Sequence, residues 1–345
     1  MIEIDGSKGE GGGQIVRSSL ALSAITGKPF TILNVRAGRK APGLKRQHLT
    51  CVKAATEICD AKVEGAELGS DRLEFHPGKI KPGEYEFKVG TAGSAPLVAQ
   101  TVLPALFTVG GNSKIAVEGG THNPMAPCYE YLADIYLPLV ERMGPSFKCE
   151  LLSHGFYPAG GGRFEIEIQP SDKLSKLHLL GRDKKYKPKV TAIVSSIDAN
   201  VGQRECDTIR RKMSWDRSCC NVREVANPRG PGNAVLIEIA SSGVSELFVG
   251  LGAPQIRAEQ VARNVLKKAK AYIGMENVPV GLHLADQIML PMGLAAAQGE
   301  TSSFVSMPLT QHSLTHKTIL ELFLDVAIDI EENGPATKVT IRPRA

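Results

Sequence analysis

The chain has 345 residues, of which 42% are hydrophobic and 22% charged, with a net charge of +5. This length suits two domains, and the composition is that of a globular protein. No apolar segment is long enough to cross a bilayer, and residues 1–5 lack the features of a signal peptide, so we expect a cytoplasmic protein. The seven cysteines include no CxxC pair, which favours neither a disulfide framework nor a cysteine-ligated zinc site.

Hydrophobic periodicity predicts the same order of elements three times along the chain. The first copy contains strand 1–5, helix 14–25, strand 30–35, helix 47–59 and two short strands flanking 65–69. The second contains strand 85–89, helix 95–109, strand 114–117, helix 127–143 and strands 147–152 and 163–168. The third begins with strand 174–180 and resumes with helix 284–297, strand 303–307, helix 312–326 and strand 338–341. The repetition predicts an α/β (α+β) fold in which three βαβαββ units form a large domain.

A separate small α/β domain is predicted where the third copy is interrupted. Its elements are strand 189–194, helix 204–215, strands 235–239 and 246–249, and helix 256–272. The predicted division is therefore a large domain of residues 1–181 and 277–345, with residues 182–276 inserted. The basic residues of helix 256–272 favour a solvated face, because the helix lacks interleaved aromatic residues that would stack on bases.

A glycine-rich segment, residues 9–14, lies between the first predicted strand and the first helix. Such a turn lets the backbone approach a phosphate, and the helix that follows offers free N–H groups. The segment matches neither a P-loop nor the dinucleotide-binding pattern, so a simple tight turn is equally consistent with it. Glu10 favours a functional site, because a carboxylate beside a phosphate is a suitable ligand for a hard cation.

Basic and amide side chains cluster at the strand–helix junctions of the first unit. They are Arg17, Arg36, Arg39, Arg46, Gln47 and His48. Arginine presents a planar fork that matches phosphate oxygens. The alternative is a set of scattered surface side chains, but the glycine- and proline-containing loop between Arg36 and Leu44 favours phosphate binding.

Two further segments allow more than one interpretation. A second glycine cluster at residues 154–162 joins two predicted strands and is also typical of a wide hairpin with a bulge. His312 and His316 lie four residues apart at the start of the last long helix, and two histidines with this spacing can bind zinc. However, no HExxH motif or obvious third ligand accompanies them. A histidine at a helix N-terminus is held in its neutral, nucleophilic form, so covalent phosphoryl chemistry is an alternative to simple capping.

Five segments, taken together, resemble the RNA 3'-terminal phosphate cyclase family. They are DGSKGEGGGQIVRSSLALSAITG, RAGRKAPGLKRQHL, GGTHNPMAP, HGFYPAGGGRFEI and HLADQIMLPMGLA. The similarity is weakest at 182–276. It implies three βαβαββ units, like those of enolpyruvyl transferases, with an inserted domain. It also implies ATP-dependent conversion of an RNA 3'-terminal phosphate to a 2',3'-cyclic phosphodiester. That reaction proceeds through histidine–AMP and RNA-adenylate, releases pyrophosphate and AMP, and uses a divalent metal.

The resemblance also implies roles for individual residues. His312 matches the nucleophile, and Glu10 matches the ligand of Mg²⁺ or Mn²⁺. The positions matching ATP contacts are Gln100, His283, Leu284, Ala285, Asp286 and Gln287. Arg17, Arg36, Arg39, Gln47 and His48 match a basic pocket for the polyphosphate or the RNA end. His316 departs from the family, which usually has asparagine there, and His283 stands where tyrosine is frequent. The repeat pattern adds our own expectation that Glu10, Gln100 and residues 286–287 converge on one site.

The expected partners are therefore ATP and RNA with a 3'-terminal phosphate, with no membrane. Two alternatives use the same kind of fold. A non-catalytic, RNA-binding ribosome-assembly factor is one, but such proteins lack the nucleophilic histidine. An enolpyruvyl transferase is the other, but nothing else in the sequence matches its substrate loops. The oligomeric state stays open.

Overall fold

A computed structural model describes residues 1–344 as a mixed α/β protein with four four-stranded sheets, which confirms the predicted class. The first sheet and its helices comprise β1 (Ile2–Asp5), α1 (Gly13–Thr26), β2 (Phe30–Leu33), α2 (Arg46–Cys59), β3 (Lys62–Glu64) and β4 (Leu73–His76). β1 and β2 are parallel, and β4 lies antiparallel between β2 and β3. Phe30 and Ile32 of β2 are fully buried because this strand lies inside the sheet and faces the helices.

The second sheet has the same strand order and pairing directions. Its elements are β5 (Glu84–Lys88), α3 (Ala95–Leu106), β6 (Ser113–Gly119), a π-helical segment (Tyr131–Tyr136) that continues as α4 (Leu137–Glu141), β7 (Ser146–Ser153) and β8 (Gly162–Gln169). The order is β5-β6-β8-β7, with the first pair parallel and the other two antiparallel. A two-residue strand, β9 (His178–Leu179), follows.

The chain then forms a sheet of different order. Its elements are β10 (Lys187–Ser195), α5 (Asn200–Met213), β11 (Cys220–Glu224), β12 (Gly232–Ser241), β13 (Val244–Leu251) and α6 (Ala258–Ile273). The strand order is β11-β10-β12-β13, and α5 and α6 pack on this sheet around their own hydrophobic cluster. Leu236 and Leu247, however, belong to the main core. The boundaries at residues 182 and 276 stay a prediction.

The last elements complete the sheet that β9 begins. They are α7 (Leu282–Ala297), β14 (Ser302–Ser306), α8 (Gln311–Phe323), β15 (Val326–Asn333) and β16 (Ala336–Pro343). The order β9-β14-β16-β15 and its pairing directions match those of the first two sheets. α1 packs against α2 of its own unit, α3 of the second and α8 of the last, so helices that belong to different sheets pack together. Among the residues described, no helix is both long and apolar enough to span a membrane.

Several predicted element boundaries were wrong. The helix expected over 312–326 ends at Phe323, where Leu324 is extended, and residues 326–333 form β15 instead. The strand expected over 174–180 shrinks to His178–Leu179, and the buried Leu174 and Leu177 lie before it. The helix expected over 127–143 begins at Tyr129 and ends at Glu141, and its residues 131–136 are π-helical. β11 was not predicted.

Candidate active site

His312 lies in the first turn of α8, where it contacts two residues of the first unit. The helix is capped by Thr310, whose hydroxyl accepts from the backbone N–H of Ser313 at 3.3 Å. His312 Nδ1 lies 3.1 Å from Oε1 of Gln14, and Nε2 lies 3.5 Å from the Glu10 carboxylate. Because an amide oxygen only accepts, this contact places the imidazole proton on Nδ1 and leaves Nε2 with a free lone pair.

The environment of His312 keeps its imidazole neutral. Partial burial lowers the pKa of His312, and the nearby guanidinium groups of Arg39 and Arg17 lower it further. Both effects disfavour the imidazolium form. His312 is also accessible, since its side chain is 45% exposed. The side chain therefore presents an unprotonated, accessible Nε2 at a helix N-terminus.

Glu10 is almost completely buried beside this nitrogen. Its side chain is 6% exposed, and its carboxylate pairs with Arg39. Oε1 makes this ion pair, and within residues 1–344 Oε2 has no hydrogen-bond partner. The Glu10 backbone N–H donates to Oγ1 of Thr315 at 2.9 Å, which docks the glycine-rich loop on α8. Gly9 allows this docking, because it has a φ of 63° and a Cβ there would collide with Thr315.

A chain of hydrogen bonds links His312 to the other two units. Gln14 Nε2 donates to Oδ2 of the buried Asp286 carboxylate at 2.9 Å, and Gln287 Nε2 approaches the same oxygen at 3.3 Å. Gln287 Oε1 in turn accepts from Gln100 in α3. Burial raises the pKa of Asp286 to about 7. The structure thus brings together residues from α1, α3, α7 and α8.

The other residues expected to contact ATP differ in whether their side chains or only their backbone groups are exposed. His283 is exposed in the first turn of α7. Leu284 and Ala285 are 0% and 1% exposed, and both side chains belong to the main core. Only their backbone groups are available to a ligand, and the first N–H groups of a helix have no partner within the helix.

Arg17 and His48 flank the start of α1. A Cβ on Gly13 would collide with His48, and Arg17 lies beside the same position. His48 Nδ1 accepts from the Lys45 N–H at 3.1 Å, so its proton is carried by Nε2. Burial, followed by the charge of Arg17, lowers the pKa of His48 to about 3. His48 is therefore a neutral hydrogen-bond donor.

Arg36 and Gln47 are engaged in holding the backbone. Arg36 donates to the carbonyl groups of Ala41 and Gly43 at 2.9 and 2.6 Å, which shapes the loop after β2. Gln47 Oε1 accepts from the Ser94 N–H at 2.7 Å and so joins α2 to the N-cap of α3. These two side chains support the basic pocket, whereas Arg39 reaches Glu10 directly.

His316 is buried behind His312 in the same helix. Its Nδ1–H donates to the backbone carbonyl of Asp286 at 2.8 Å, and its Nε2 has no hydrogen-bond partner among the described residues. Burial lowers the pKa of His316 to about 4. His316 is thus a buried, neutral side chain that holds α7 against α8, whereas the side chain of His312 is half-exposed.

Comparison with known proteins identifies the family. The sequence profile described as RNA 3'-terminal phosphate cyclase matches residues 8–330. The chain belongs to this family. It is 43% identical over 344 residues to the RNA 3'-terminal phosphate cyclase of Koribacter versatilis, covering 100% of this chain and 96% of that protein. It is 45% identical over 341 residues to that of Salmonella paratyphi C, covering 99% and 97%.

A solved structure gives a much weaker match. The chain aligns with the enolpyruvyl transferase NikO from Streptomyces tendae at 13% identity and a TM-score of 0.39, over 99% of this chain and 48% of that one. We draw no conclusion about the fold from it.

Two residues of this cyclase-family chain were not singled out from the sequence. Gln14 contacts both His312 and Asp286, and Thr315 receives the N–H of Glu10. Gln14 is the last residue of the glycine-rich segment, and this position indicated that its side chain could belong to the site. The contact of Thr315 with the loop joins residues 305 positions apart and had no signal in the sequence.

Proposed function

We propose that the chain uses ATP to convert an RNA 3'-terminal phosphate into a 2',3'-cyclic phosphodiester, with His312 as the nucleophile. Family membership supports the reaction class. The observation that carries the choice of nucleophile is the accessible Nε2 of His312, unprotonated because Gln14 holds the proton on Nδ1. It faces Glu10 and the glycine-rich loop.

In the first step, Nε2 of His312 attacks the α-phosphorus of ATP, an N–P bond forms, and pyrophosphate leaves. The imidazole gains positive charge as this bond forms. Gln14 Oε1 accepts the Nδ1–H and stabilises that charge, while Asp286 holds the amide in the required orientation. Gln100, His283 and the backbone of residues 284–287 are proposed to bind the adenosine.

Glu10 fits the role of metal ligand. Its carboxylate is buried, Oε2 lacks a hydrogen-bond partner among the described residues, and Oε1 adjoins the nucleophile. Mg²⁺ is commonly held by one or two carboxylates together with substrate phosphates, and Mn²⁺ accepts the same oxygen ligands. Such an ion would neutralise charge on the triphosphate. Arg39, which pairs with Glu10, would then be free to bind a phosphate.

In the later steps, the RNA 3'-phosphate oxygen takes AMP from His312, which restores the histidine and gives an RNA-adenylate. The vicinal 2'-hydroxyl then attacks the RNA phosphorus, and AMP leaves. Arg17, Arg39 and His48 are proposed to bind the phosphate groups, because they present positive charge or an N–H at the start of α1. Arg36 and Gln47 keep that pocket in shape.

The proposal is tested with ATP labelled at the α-phosphate. We expect the protein to take up label in an acid-labile, alkali-stable bond and to lose this ability in His312→Ala. His76→Ala, which removes an exposed histidine of β4, is the matched control. A 3'-phosphorylated oligoribonucleotide should become cyclic with the wild type and the control only. Normal cyclisation by folded His312→Ala would refute the assignment.

The same experiment separates the alternatives. A non-catalytic RNA-binding relative would bind the oligonucleotide without taking up label, and an enolpyruvyl transferase would do neither. The cytoplasmic location expected from the sequence stays a prediction.

A further inference from the structure

Three metal-ligating side chains meet in the loops of the second unit, outside the proposed active site. They are His122, Cys128 and Glu130, which are 1%, 2% and 7% exposed. One ligand atom from each lies within 4.8 Å of the other two. All three precede the π-helical segment, and the loop that carries them begins where β6 ends. The reaction proposed above uses none of these residues.

Glu130 carries the most informative contacts. Its Oε2 lies 2.8 Å from His122 Nε2, whereas its Oε1 is buried without a hydrogen-bond partner within residues 1–344. Arg223 of β11 approaches Oε1 to 3.6 Å. A buried carboxylate oxygen that has no hydrogen-bond partner in the described part of the chain and no guanidinium closer than 3.6 Å is free to coordinate a cation.

The surroundings of His122 suit a metal ligand. Its Nδ1 lies 2.9 Å from Oγ1 of Thr121, and this hydroxyl is itself fixed by the Gly155 N–H at 2.8 Å. A histidine that binds a metal through one nitrogen donates its other N–H to an oxygen of the protein. In the free protein the Nε2–H of His122 donates to Glu130. An ion that binds Nε2 would displace this proton, and the ring would then carry its proton on Nδ1, where Thr121 can accept it.

Cys128 determines which ions fit. Its thiol is buried and can bind a metal ion only after it loses its proton. A bound ion displaces that proton, because the thiolate is the ligand. Magnesium and calcium prefer oxygen ligands alone, whereas nitrogen, sulfur and carboxylate together suit zinc. We propose that His122, Cys128 and Glu130 bind a divalent ion of the zinc class, with water as the fourth ligand.

The distances allow this with small side-chain movements. Bonds of about 2.0–2.3 Å to a tetrahedral ion place neighbouring ligand atoms roughly 3.3–3.8 Å apart. The 2.8 Å contact between His122 and Glu130 would lengthen slightly, and the most distant pair would approach from within 4.8 Å. The ion would join the loop after β6 to the Gly155 turn and, through Glu130 and Arg223, to β11.

Cobalt substitution provides the test. The whole protein, stripped with chelator and kept reduced with a phosphine, is titrated with Co²⁺ in the presence of Mg²⁺. We expect one equivalent of Co²⁺ to produce a near-ultraviolet thiolate-to-cobalt band that Zn²⁺ abolishes. Binding should weaken about 10-fold or more in Cys128→Ser, since a thiolate ligand is lost.

Two controls make the result specific. Cys59→Ser removes another fully buried thiol, one that donates to the backbone carbonyl of Ala55, and should keep the band. Glu10→Ala removes the proposed magnesium ligand and should also keep it. The absence of a thiolate band in the wild type would overturn the proposal whether or not the variants fold. An undiminished band in Cys128→Ser would overturn it as well.

Discussion

Gln14 donates its side-chain amide to the buried carboxylate of Asp286 at 2.9 Å. This contact decides which end of the amide faces His312, because Nε2 is used on Asp286 and only Oε1 remains. The carboxylate therefore controls the proton position on the histidine through an intervening amide. The arrangement joins α7, α1 and α8, so it depends on the packing of different units.

The first prediction concerns Gln14→Ala. We expect the labelling rate with ATP to fall about 10–100-fold, since the imidazole loses the acceptor that fixes its tautomer and orientation. Ser7→Ala, in an exposed part of the same loop, is the control. Unchanged labelling in folded Gln14→Ala would show that Asp286 and Gln14 do not control His312.

The second prediction concerns the pH dependence of labelling. Only neutral His312 is nucleophilic, and its lowered pKa means that labelling should decline only below the ordinary range near pH 6.5. Gln14→Glu places a carboxylate against Nδ1, which favours imidazolium and should move the decline to higher pH. The labelling rate measured between pH 5 and 8 tests this; superimposable profiles would contradict it.

The third prediction is that Glu10→Gln impairs the first step more than the last. The substitution keeps the shape of the side chain but removes the charge proposed to hold the metal, so labelling should fall about 100-fold or more. Cyclisation of a chemically prepared RNA-adenylate, which bypasses His312, should fall much less. Glu3→Gln, at an exposed position of β1, is the control. Equal losses in both assays would argue against a role centred on adenylylation.

The fourth prediction separates His316 from His312. His316→Asn should retain labelling, since asparagine can still donate to the carbonyl of Asp286. His316→Leu cannot donate, so it should lose about 1–1.5 kcal/mol of stability and, because α8 is then held less firmly against α7, should label more slowly than the wild type. If His316 were the labelled residue, both variants would lose the label completely.

The sequence predicted elements with strong local patterns and failed where packing decides. Amphipathic or glycine-flanked segments such as α1 and α2 were placed within one residue at each end. β15 was missed because Val326 continues the apolar period of α8, and only the pairing with β16 makes the segment extended. The apolar residues Leu174 and Leu177 fit the pattern of a buried strand, but they lie outside the strand and pack into the core.

The candidate site shows the same division. Glu10, His312 and residues 286–287 lie in segments that resemble the family, and the structure places them within one hydrogen-bonded group. Contacts between distant segments had no local signal.

The inserted segment contacts the candidate site through β13, which places Glu246 against the N-terminus of α7. The sequence alone places all candidate residues outside that segment and so predicts that labelling survives its replacement by a short linker. This contact and the burial of Leu236 and Leu247 in the main core argue against that expectation.

The fifth prediction concerns Glu246, which is 2% exposed and accepts the backbone N–H of Gly281, the N-cap residue of α7. Burial raises its pKa from 4.5 to about 8. The folded protein then binds more protons than the unfolded chain between these values, so this group's contribution to stability is lost as pH rises through that range. Glu246→Gln keeps an acceptor for Gly281 but does not ionise.

The variant should therefore gain in melting temperature relative to the wild type as pH rises from about 5 to about 9. Other buried carboxyl groups with raised pKa values, Glu205 and Asp286, are present in both proteins and cancel in the difference. Glu276→Gln, at an exposed position, should follow the wild type throughout. A constant difference between Glu246→Gln and the wild type across this range would show that Glu246 does not titrate there, and the carboxyl group would then contribute only its hydrogen bond to α7.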